Sequence, residues 1–237
     1  MSRTAAALAL TALLSPAFAE ARQPRGLVVL AGERVPVRWT DGDTFRIQGG
    51  RHAGRSARLV GVNALETYGP VHRWAAMSPR ALLALARAAA PLVARGIWRC
   101  EVERPSDGYG RLLVSCPEAA EALVESGHAM VFAVDAPADG RLLAAQRSAQ
   151  AARRGIWAGG VPPLVPTSVH SASEAGLGPR GAYDRIADTG TGAAVAHSHE
   201  RRYRTCEEVC AGEGRERACL TYVPFERRYR HKPGCLR

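Results

Sequence analysis

Three short segments of this 237-residue chain carry acidic and guanidinium side chains at or near predicted turns. The first is Asp41-Gly42-Asp43-Thr44, the second begins with Arg58 and ends with Glu66, and the third is residues 106–111. Carboxylates can bind a hard cation or activate water, and a planar guanidinium matches the oxygens of a phosphate. Each segment alone is common in proteins, but their order, spacing and context together are a much stronger signal.

Predicted strands position all three segments. β-Branched and apolar residues, separated by Asp-Gly and Gly-Gly breakers, predict strands over residues 35–39, 44–47 and 57–62. A hairpin is predicted over residues 97–116, and the third segment forms its turn. The acidic turn therefore joins two strands, and Arg58 lies on a third strand that leads to Glu66.

Helices are predicted between and after these strands. Ser78-Pro79 is typical of a helix start, and apolar residues at helical spacing continue to residue 95. Two further helices are predicted over residues 118–126 and from about residue 138 to 154, with Gly127 and Gly155 as stops. This order indicates an α+β domain with a barrel-like sheet.

From about residue 33 to 159 the chain resembles the thermonuclease (staphylococcal-nuclease-like) family. The matching pieces, in order along the chain, are Asp41-Gly42-Asp43-Thr44, Arg58 with Glu66, Tyr109-Gly110-Arg111, the helix end at residues 121–127, and Gly155-Ile156-Trp157. The resemblance implies an OB-fold, a five-stranded β-barrel with three helices, over residues 26–159.

The resemblance also implies a metal-dependent nuclease that hydrolyses phosphodiester bonds of DNA or RNA with little sequence specificity. The catalytic residues would be Arg58, Glu66 and Arg111. Glu66 would be the general base, and the two arginines would stabilise the phosphoryl transition state. Tyr109 would help to bind a neighbouring phosphate.

The metal of this family is calcium, a divalent cation that takes oxygen ligands. By resemblance, Asp43, the side-chain oxygen of Asn63 and the backbone carbonyl of Ala64 would bind it. The family has Asp at position 63, so Asn63 keeps an oxygen but removes one negative charge. We therefore expect weakened cation affinity. Leu65 also departs from the family, which usually has Pro there.

The loop after Glu66 contains His72 and Trp74, and it could lie over the site. His72 is either an assisting base or ligand, or an exposed loop histidine, and the latter is the simpler interpretation. Trp74 either stacks on a base or packs under the first helix.

Charge and the N-terminus bear on partners and compartment. The formal net charge of +10 favours a polyanionic partner such as nucleic acid, although Lys232 is the only lysine and codon bias contributes to the arginine content. An apolar run over residues 5–14, followed by Ala17-Phe18-Ala19, predicts a signal peptide over residues 1–19. The run is too short to span a bilayer. We expect a periplasmic or secreted monomer without a membrane span.

The six cysteines agree with export. Folding the hairpin about its turn places Cys100 opposite Cys116, which favours a cross-strand disulfide over two buried thiols. The other four cysteines allow two more bridges. Cys206 and Cys210 are expected to bond to Cys219 and Cys235, although the pairing stays open and a zinc site is the alternative.

The remaining chain divides in two by composition. Residues 160–196 are rich in Pro, Gly, Ala, Ser and Thr, which predicts a linker or loosely ordered segment. Residues 197–237 form a basic, Cys-rich C-terminal extension. Within it, residues 222–230 interleave aromatic residues with arginine, which is typical of single-strand-binding surfaces and equally of an edge strand with solvated arginines.

Two other functions compete with the nuclease. The OB-fold could be a non-catalytic nucleic-acid-binding module whose metal site is degenerate at Asn63. A structural protein of the cell envelope would explain the cysteines but not the acidic and guanidinium residues. Arg58, Glu66 and Arg111 argue for the enzyme, because a binding module has no need of a buried glutamate.

Overall fold

The structure is a computed structural model that describes residues 23–174, 176–177, 181–229 and 233–236. The predicted signal peptide lies outside these residues. None of the helices in these ranges is long and apolar enough to cross a membrane. The helices are Pro79–Val93 (α1), Pro117–Glu125 (α2), Gly140–Ala151 (α3) and Phe225–Tyr229 (α4). The strands are Arg25–Leu30 (β1), Glu33–Trp39 (β2), Thr44–Ile47 (β3), Ser56–Leu59 (β4), Gly61–Ala64 (β5), His72–Trp74 (β6), Ile97–Arg104 (β7), Leu112–Ser115 (β8), Ala129–Phe132 (β9), Leu164–Val169 (β10), Tyr183–Asp188 (β11), Ala194–Ser198 (β12), Glu208–Ala211 (β13) and Ala218–Thr221 (β14).

A closed barrel in the order β1-β2-β3-β4-β8-β7 forms the first part of the described chain. It has six strands among the described residues, whereas five were predicted. The additional strand is β1, which turns into β2 through Ala31 and Gly32 with positive φ angles of 48° and 85°. Two positive φ angles give the hairpin turn that matches strand twist. β1 then closes the barrel by pairing in parallel with β7.

Alternating side chains of the strands fill the barrel. Trp39, Phe45, Ile47, Leu59 and Leu112 are fully buried, and α1 and α2 contribute further apolar residues to the same core. In the hairpin, Val102 lies opposite Val114, in the predicted register. The predicted disulfide between Cys100 and Cys116 is confirmed, and both residues are buried in this core.

The three long helices agree with their sequence signals. The side chain of Ser78 accepts a hydrogen bond from the backbone N–H of Ala81 at 3.2 Å, and α1 ends two residues earlier than predicted. Gly127 and Gly155 follow the predicted helix ends and touch one another, since the Gly127 carbonyl accepts from the Ile156 N–H at 2.8 Å. A Cβ at either glycine would collide with the opposing backbone.

Residues 160–196, for which a linker was predicted, instead carry the three-stranded sheet β10-β11-β12. Val165, Ala187 and Ala194 of this sheet are buried in one cluster with Trp157. The amide of Gln146 in α3 also donates to the carbonyl of Thr189 at 2.7 Å. Composition missed the sheet because contacts with the preceding residues, rather than strand propensity, hold these small residues in place.

The C-terminal extension is tied to the barrel domain by a second sheet, β13-β14-β6. Its strand β14 lies between β13 and β6, so a strand from the loop after Glu66 pairs with the end of the chain. The four C-terminal cysteines form Cys206–Cys235 and Cys210–Cys219, which resolves the open pairing. The sulfur atoms are therefore not free to bind zinc.

Candidate active site

The acidic turn between β2 and β3 holds Asp43 inside the protein. Asp43 is 1% exposed, and its Oδ2 accepts a hydrogen bond from the backbone N–H of Ala64 at 2.6 Å. Its Oδ1 accepts from the Thr44 hydroxyl at 2.9 Å and from Nη1 of Arg58. The turn packs tightly against the helices, since a Cβ at Gly42 would lie 2.7 Å from Ala89. The position and partners of Asp43 are thus strongly constrained.

Arg58 joins the turn to the segment that follows β4. It lies opposite Thr44 in the β3–β4 pairing, and its Nη2 donates to Oδ1 of Asn63 at 2.8 Å. The predicted strand over residues 57–62 breaks at Gly61, whose φ is +81°. This break directs β5 away from the barrel to pair with β9. Arg58 therefore bridges Asp43 and Asn63, two of the predicted metal ligands.

Negative charge is concentrated around this arginine. Burial, followed by repulsion from Asp43 and Glu66, raises the pKa of Asp41 well above its ordinary value. Loss of hydration beside the surrounding protein, followed by repulsion from Asp43, also raises the pKa of Glu66. The positive charge of Arg58 opposes this shift. Glu66 was expected to be buried, but the residue is exposed to solvent two positions after the end of β5. Water can therefore reach this carboxyl.

The negative charge of the carboxylates in the site is sufficient to bind a divalent cation. Asp41, Asp43 and Glu66 bring three carboxylates around one guanidinium, and oxygen ligands are what calcium takes. Their oxygens do not form a compact group of three, and Asp43 and Asn63 are both bonded to Arg58. The residues thus fit a cation that competes with Arg58 for the same oxygens. Asp41 was missed as a site residue, although the Asp-Gly-Asp turn was recognised.

One compact group of potential ligands occurs elsewhere in the described residues, namely Glu208, Cys210 and Cys219. The two sulfurs are bonded to each other, and Glu208 forms two hydrogen bonds with Arg73 at 2.9 and 2.6 Å. This group is therefore a disulfide beside an ion pair and is not a second metal site.

Arg111 reaches the same cleft from the hairpin turn. Asp107 orders the turn by accepting from the backbone N–H groups of Tyr109 and Arg111 at 2.8 and 2.9 Å. Its Oδ2 accepts from Nε of Arg111 at 2.8 Å. Burial alone would raise the pKa of Asp107, but these hydrogen bonds outweigh it and lower the pKa. Arg111 also lowers the pKa of Glu66, so Arg58 and Arg111 both act on that carboxyl. The orienting role of Asp107 was not predicted.

Tyr109 stands at the outer rim of the cleft and is 67% exposed. Its ring centroid lies 5.3 Å from Cζ of Arg111. Its hydroxyl is hydrogen-bonded to the side chain of Tyr183 in β11. Sequence reasoning missed Tyr183 because nothing local links it to the hairpin. The region predicted to be a linker thus contacts a predicted site residue.

His72 and Trp74 lie on β6, in the segment that follows Glu66. The simpler interpretation of His72 as an exposed loop residue was wrong, since it is 3% exposed and its Nε2 bonds to the Pro166 carbonyl at 2.9 Å. Burial lowers its pKa to about 4. Trp74 is fully buried beside Leu82 of α1, and its indole N–H donates to the Ile156 carbonyl at 2.9 Å. Both side chains serve packing.

Comparison with known proteins agrees with this arrangement. No curated protein matches the chain. Residues 56–159 match the family model described as staphylococcal nuclease homologue. The matched range contains Arg58, Glu66, Tyr109 and Arg111 and implies a nuclease-like or nucleic-acid-binding OB-fold. Over residues 56–159 the chain is therefore similar to the staphylococcal nuclease homologue family.

Proposed function

We propose that the protein is an exported, metal-dependent nuclease that hydrolyses phosphodiester bonds of DNA or RNA with little sequence preference. The observation that carries the proposal is the exposed position of Glu66 near the buried Asp43–Arg58 pair, whose two charges act on the Glu66 carboxyl in opposite directions. A base that water can reach, flanked by two guanidinium groups, is what hydrolysis of a phosphodiester requires.

In the proposed reaction, Glu66 accepts a proton from a water molecule as the water oxygen attacks phosphorus. The bond from phosphorus to the leaving oxygen breaks, and that oxygen takes up a proton from solvent. Arg58 and Arg111 bind the phosphate oxygens as their charge grows, and Arg58 has more N–H donors than its two contacts use. Tyr109 binds a neighbouring phosphate.

Asp43, Asn63 and the carbonyl of Ala64 would hold a divalent cation, with calcium the cation proposed. When bound, the cation would neutralise charge on the phosphoryl oxygens and lower the pKa of nearby water. The excess of carboxylates over guanidinium groups around Arg58 would attract a divalent cation to these oxygens. Asn63 contributes less to cation affinity than an aspartate would.

The compartment and assembly are part of the proposal. Three disulfides in the described chain indicate an oxidising environment. That environment supports export to the periplasm or the medium. We propose separately that the protein acts as a monomer.

Cleavage of labelled single-stranded DNA and RNA by the oxidised protein tests the proposal. We expect cleavage in calcium or another divalent cation, and Glu66→Gln should lower kcat at least about 100-fold. Glu103→Gln, at an exposed position of β7, is the matched control and should cleave normally. Binding without cleavage in every cation tested would instead support the non-catalytic binding module, which the contact between Arg58 and Asn63 favours.

A further inference from the structure

Helix α4 contacts the loop that follows Glu66 through Arg228. Its aliphatic stem lies directly on the backbone of Gly69, three residues after Glu66. A Cβ at Gly69 would lie 3.2 Å from Cβ, Cγ and Cδ of Arg228, and Gly69 has a φ of +116°. The loop that begins at the proposed base is thus shaped to accept this arginine.

The guanidinium of Arg228 is held in place but keeps its charge available. Its Nε donates to the carbonyl of Val223 at 3.0 Å, and its Cζ lies 5.7 Å from the ring centroid of Phe225. Arg58 and Arg111 each have an aspartate partner, whereas the ion pairs of the described residues do not include Arg228. A fixed cation without a carboxylate partner is suited to an external anion.

The charge of Arg228 also acts on the hairpin that carries Arg111. Burial raises the pKa of Tyr109 in that hairpin, and Arg228 opposes the shift. Arg228 thus lies against the loop that follows Glu66 and within electrostatic reach of Tyr109.

Aromatic side chains continue from Tyr109 into the sheet β10-β11-β12. Tyr183 is bonded to Tyr109, and its ring stacks on His170 with centroids 4.4 Å apart and planes 22° apart. Cζ of Arg185 lies 5.3 Å from the Tyr183 ring centroid. Aromatic side chains in contact with guanidinium groups are typical of surfaces that bind single-stranded nucleic acid.

We propose that the described residues between 160 and 236, which we call the C-terminal region, form the second wall of a groove for single-stranded nucleic acid, and that Arg228 binds a backbone phosphate next to the scissile one. The groove would bind a flexible single strand, because the bases of the strand must unstack from one another before they can contact Tyr109 and Tyr183. The inference rests on the proposed function for the identity of the substrate, although binding can be measured without cleavage.

Strand binding tests the inference in the full-length, oxidised protein carrying Glu66→Gln, which prevents cleavage. Fluorescence anisotropy of a labelled 12-nucleotide oligothymidylate is measured in calcium at several salt concentrations. Adding Arg228→Gln should weaken binding about tenfold at low salt and reduce the slope of log affinity against log salt by about 0.7, the value for one phosphate contact on a single strand. Arg228→Lys should restore most of the slope.

Arg227→Gln is the matched control, because it removes the same charge one residue away on α4. It should leave affinity and slope within twofold of the parent. Equal losses of affinity in Arg227→Gln and Arg228→Gln would mean that only the total charge of α4 affects binding, and this result would overturn the inference. Unchanged binding by Arg228→Gln would also overturn the inference. Tighter binding would overturn it too, because it would mean that the C-terminal region covers the cleft and hinders binding of the strand.

A cleavage assay in the otherwise unchanged protein separates the two proposals. For a 12-nucleotide strand, Arg228→Gln should raise KM about tenfold with kcat within twofold, while cleavage of a dinucleotide should be unaffected. A merely structural role would change both substrates alike and would contradict the inference. If the unchanged protein cleaves nothing but Arg228→Gln still loses the salt dependence, the nuclease proposal fails and the binding wall stands.

Discussion

The barrel domain, residues 23–159, and the C-terminal region are held together by different means. The barrel core contains many large aliphatic and aromatic side chains and one disulfide. The C-terminal region has a separate cluster that contains Val169, Val209 and Leu220 together with Tyr203 and Tyr222. Two disulfides supplement it. A small core alone rarely stabilises a region of this size, so cross-links take a larger share there.

Buried carboxylates have different partners in the two regions. In the barrel domain, Asp43 is paired with Arg58 across two strands. In the C-terminal region, the Tyr203 hydroxyl donates to Asp184 at 2.6 Å. Burial and then this hydrogen bond raise the pKa of Tyr203. The barrel thus holds a charged cluster suited to chemistry, whereas the C-terminal region uses its buried carboxylate to hold a strand and a loop together.

The largest effect is expected from breaking the charged cluster of the barrel. Arg58→Gln removes the guanidinium from among three carboxylates and should lower the free energy of unfolding by about 3 to 5 kcal/mol, the usual loss for one partner of a buried pair. Arg111→Gln breaks a local and more exposed pair with Asp107, so the loss should be at most about 1 kcal/mol. Urea unfolding of both variants measures the difference. Equal losses would contradict the distinction between the inner and outer arginines.

Removing disulfides tests whether the C-terminal region depends on its cross-links. Cys206→Ala with Cys235→Ala opens a loop of 29 residues and should cost about 3.5 kcal/mol, felt mainly in the C-terminal region. Hydrogen exchange should rise in β13 and β14 while the barrel strands stay protected. Cys100→Ala with Cys116→Ala should instead lower the stability of the barrel. Uniform exchange across both regions in either variant would mean that the two unfold as one unit.

The stability of the contact between the two regions should depend on pH through His72, which lies on β6 and bonds to Pro166 of β10. The pKa of this histidine is about 4 in the folded protein against 6.5 in the unfolded chain. Between these values the unfolded chain takes up a proton that the folded protein does not. Stability is therefore unaffected by His72 above pH 6.5 and falls as the pH drops, by about 3 kcal/mol at pH 4.

Urea unfolding at pH 7 and pH 4.5 measures this dependence. His72→Gln should reduce it, and His197→Gln, at an exposed position of β12, should not. A pH dependence that is the same in His72→Gln and the unchanged protein would exclude His72 as its source.

The smallest effect concerns the metal. Asn63→Asp adds a carboxylate beside Asp43, and the calcium concentration for half-maximal cleavage should fall about tenfold, equivalent to about 1.4 kcal/mol. Asn63→Gln, which adds no charge, is the control. If Asn63→Asp leaves the calcium requirement unchanged, position 63 is not a ligand and the metal proposal must be revised.

Local patterns predicted much of the barrel domain. The symmetric hairpin placed Cys100 opposite Cys116, and Ser78-Pro79 marked the start of α1. Such features depend on residues close in sequence, where turn and cap preferences act directly. The extra strand β1 was missed, although Val28 and Leu30 alternate toward the core.

The site was only partly predictable for the same reason. Residue types and order indicated Arg58, Glu66 and Arg111 as candidates, and their roles stay predictions. The contact of Arg58 with Asn63 depends on the break at Gly61, and no pattern signalled that contact. The burial of His72 depends on pairing with β14, which is distant in sequence.

By itself, the sequence determined the chemistry available to this protein: an acidic turn, a carboxylate after a strand, arginines on a strand and a hairpin, and cysteines in pairs. Only the tertiary structure decided which groups share a cleft. Tyr183 of β11 meets Tyr109 of the hairpin, and Arg228 of α4 lies on Gly69, just before the strand β6 that pairs with β14. Such pairing is set by burial and backbone hydrogen bonds between distant strands, which local residue preferences do not specify.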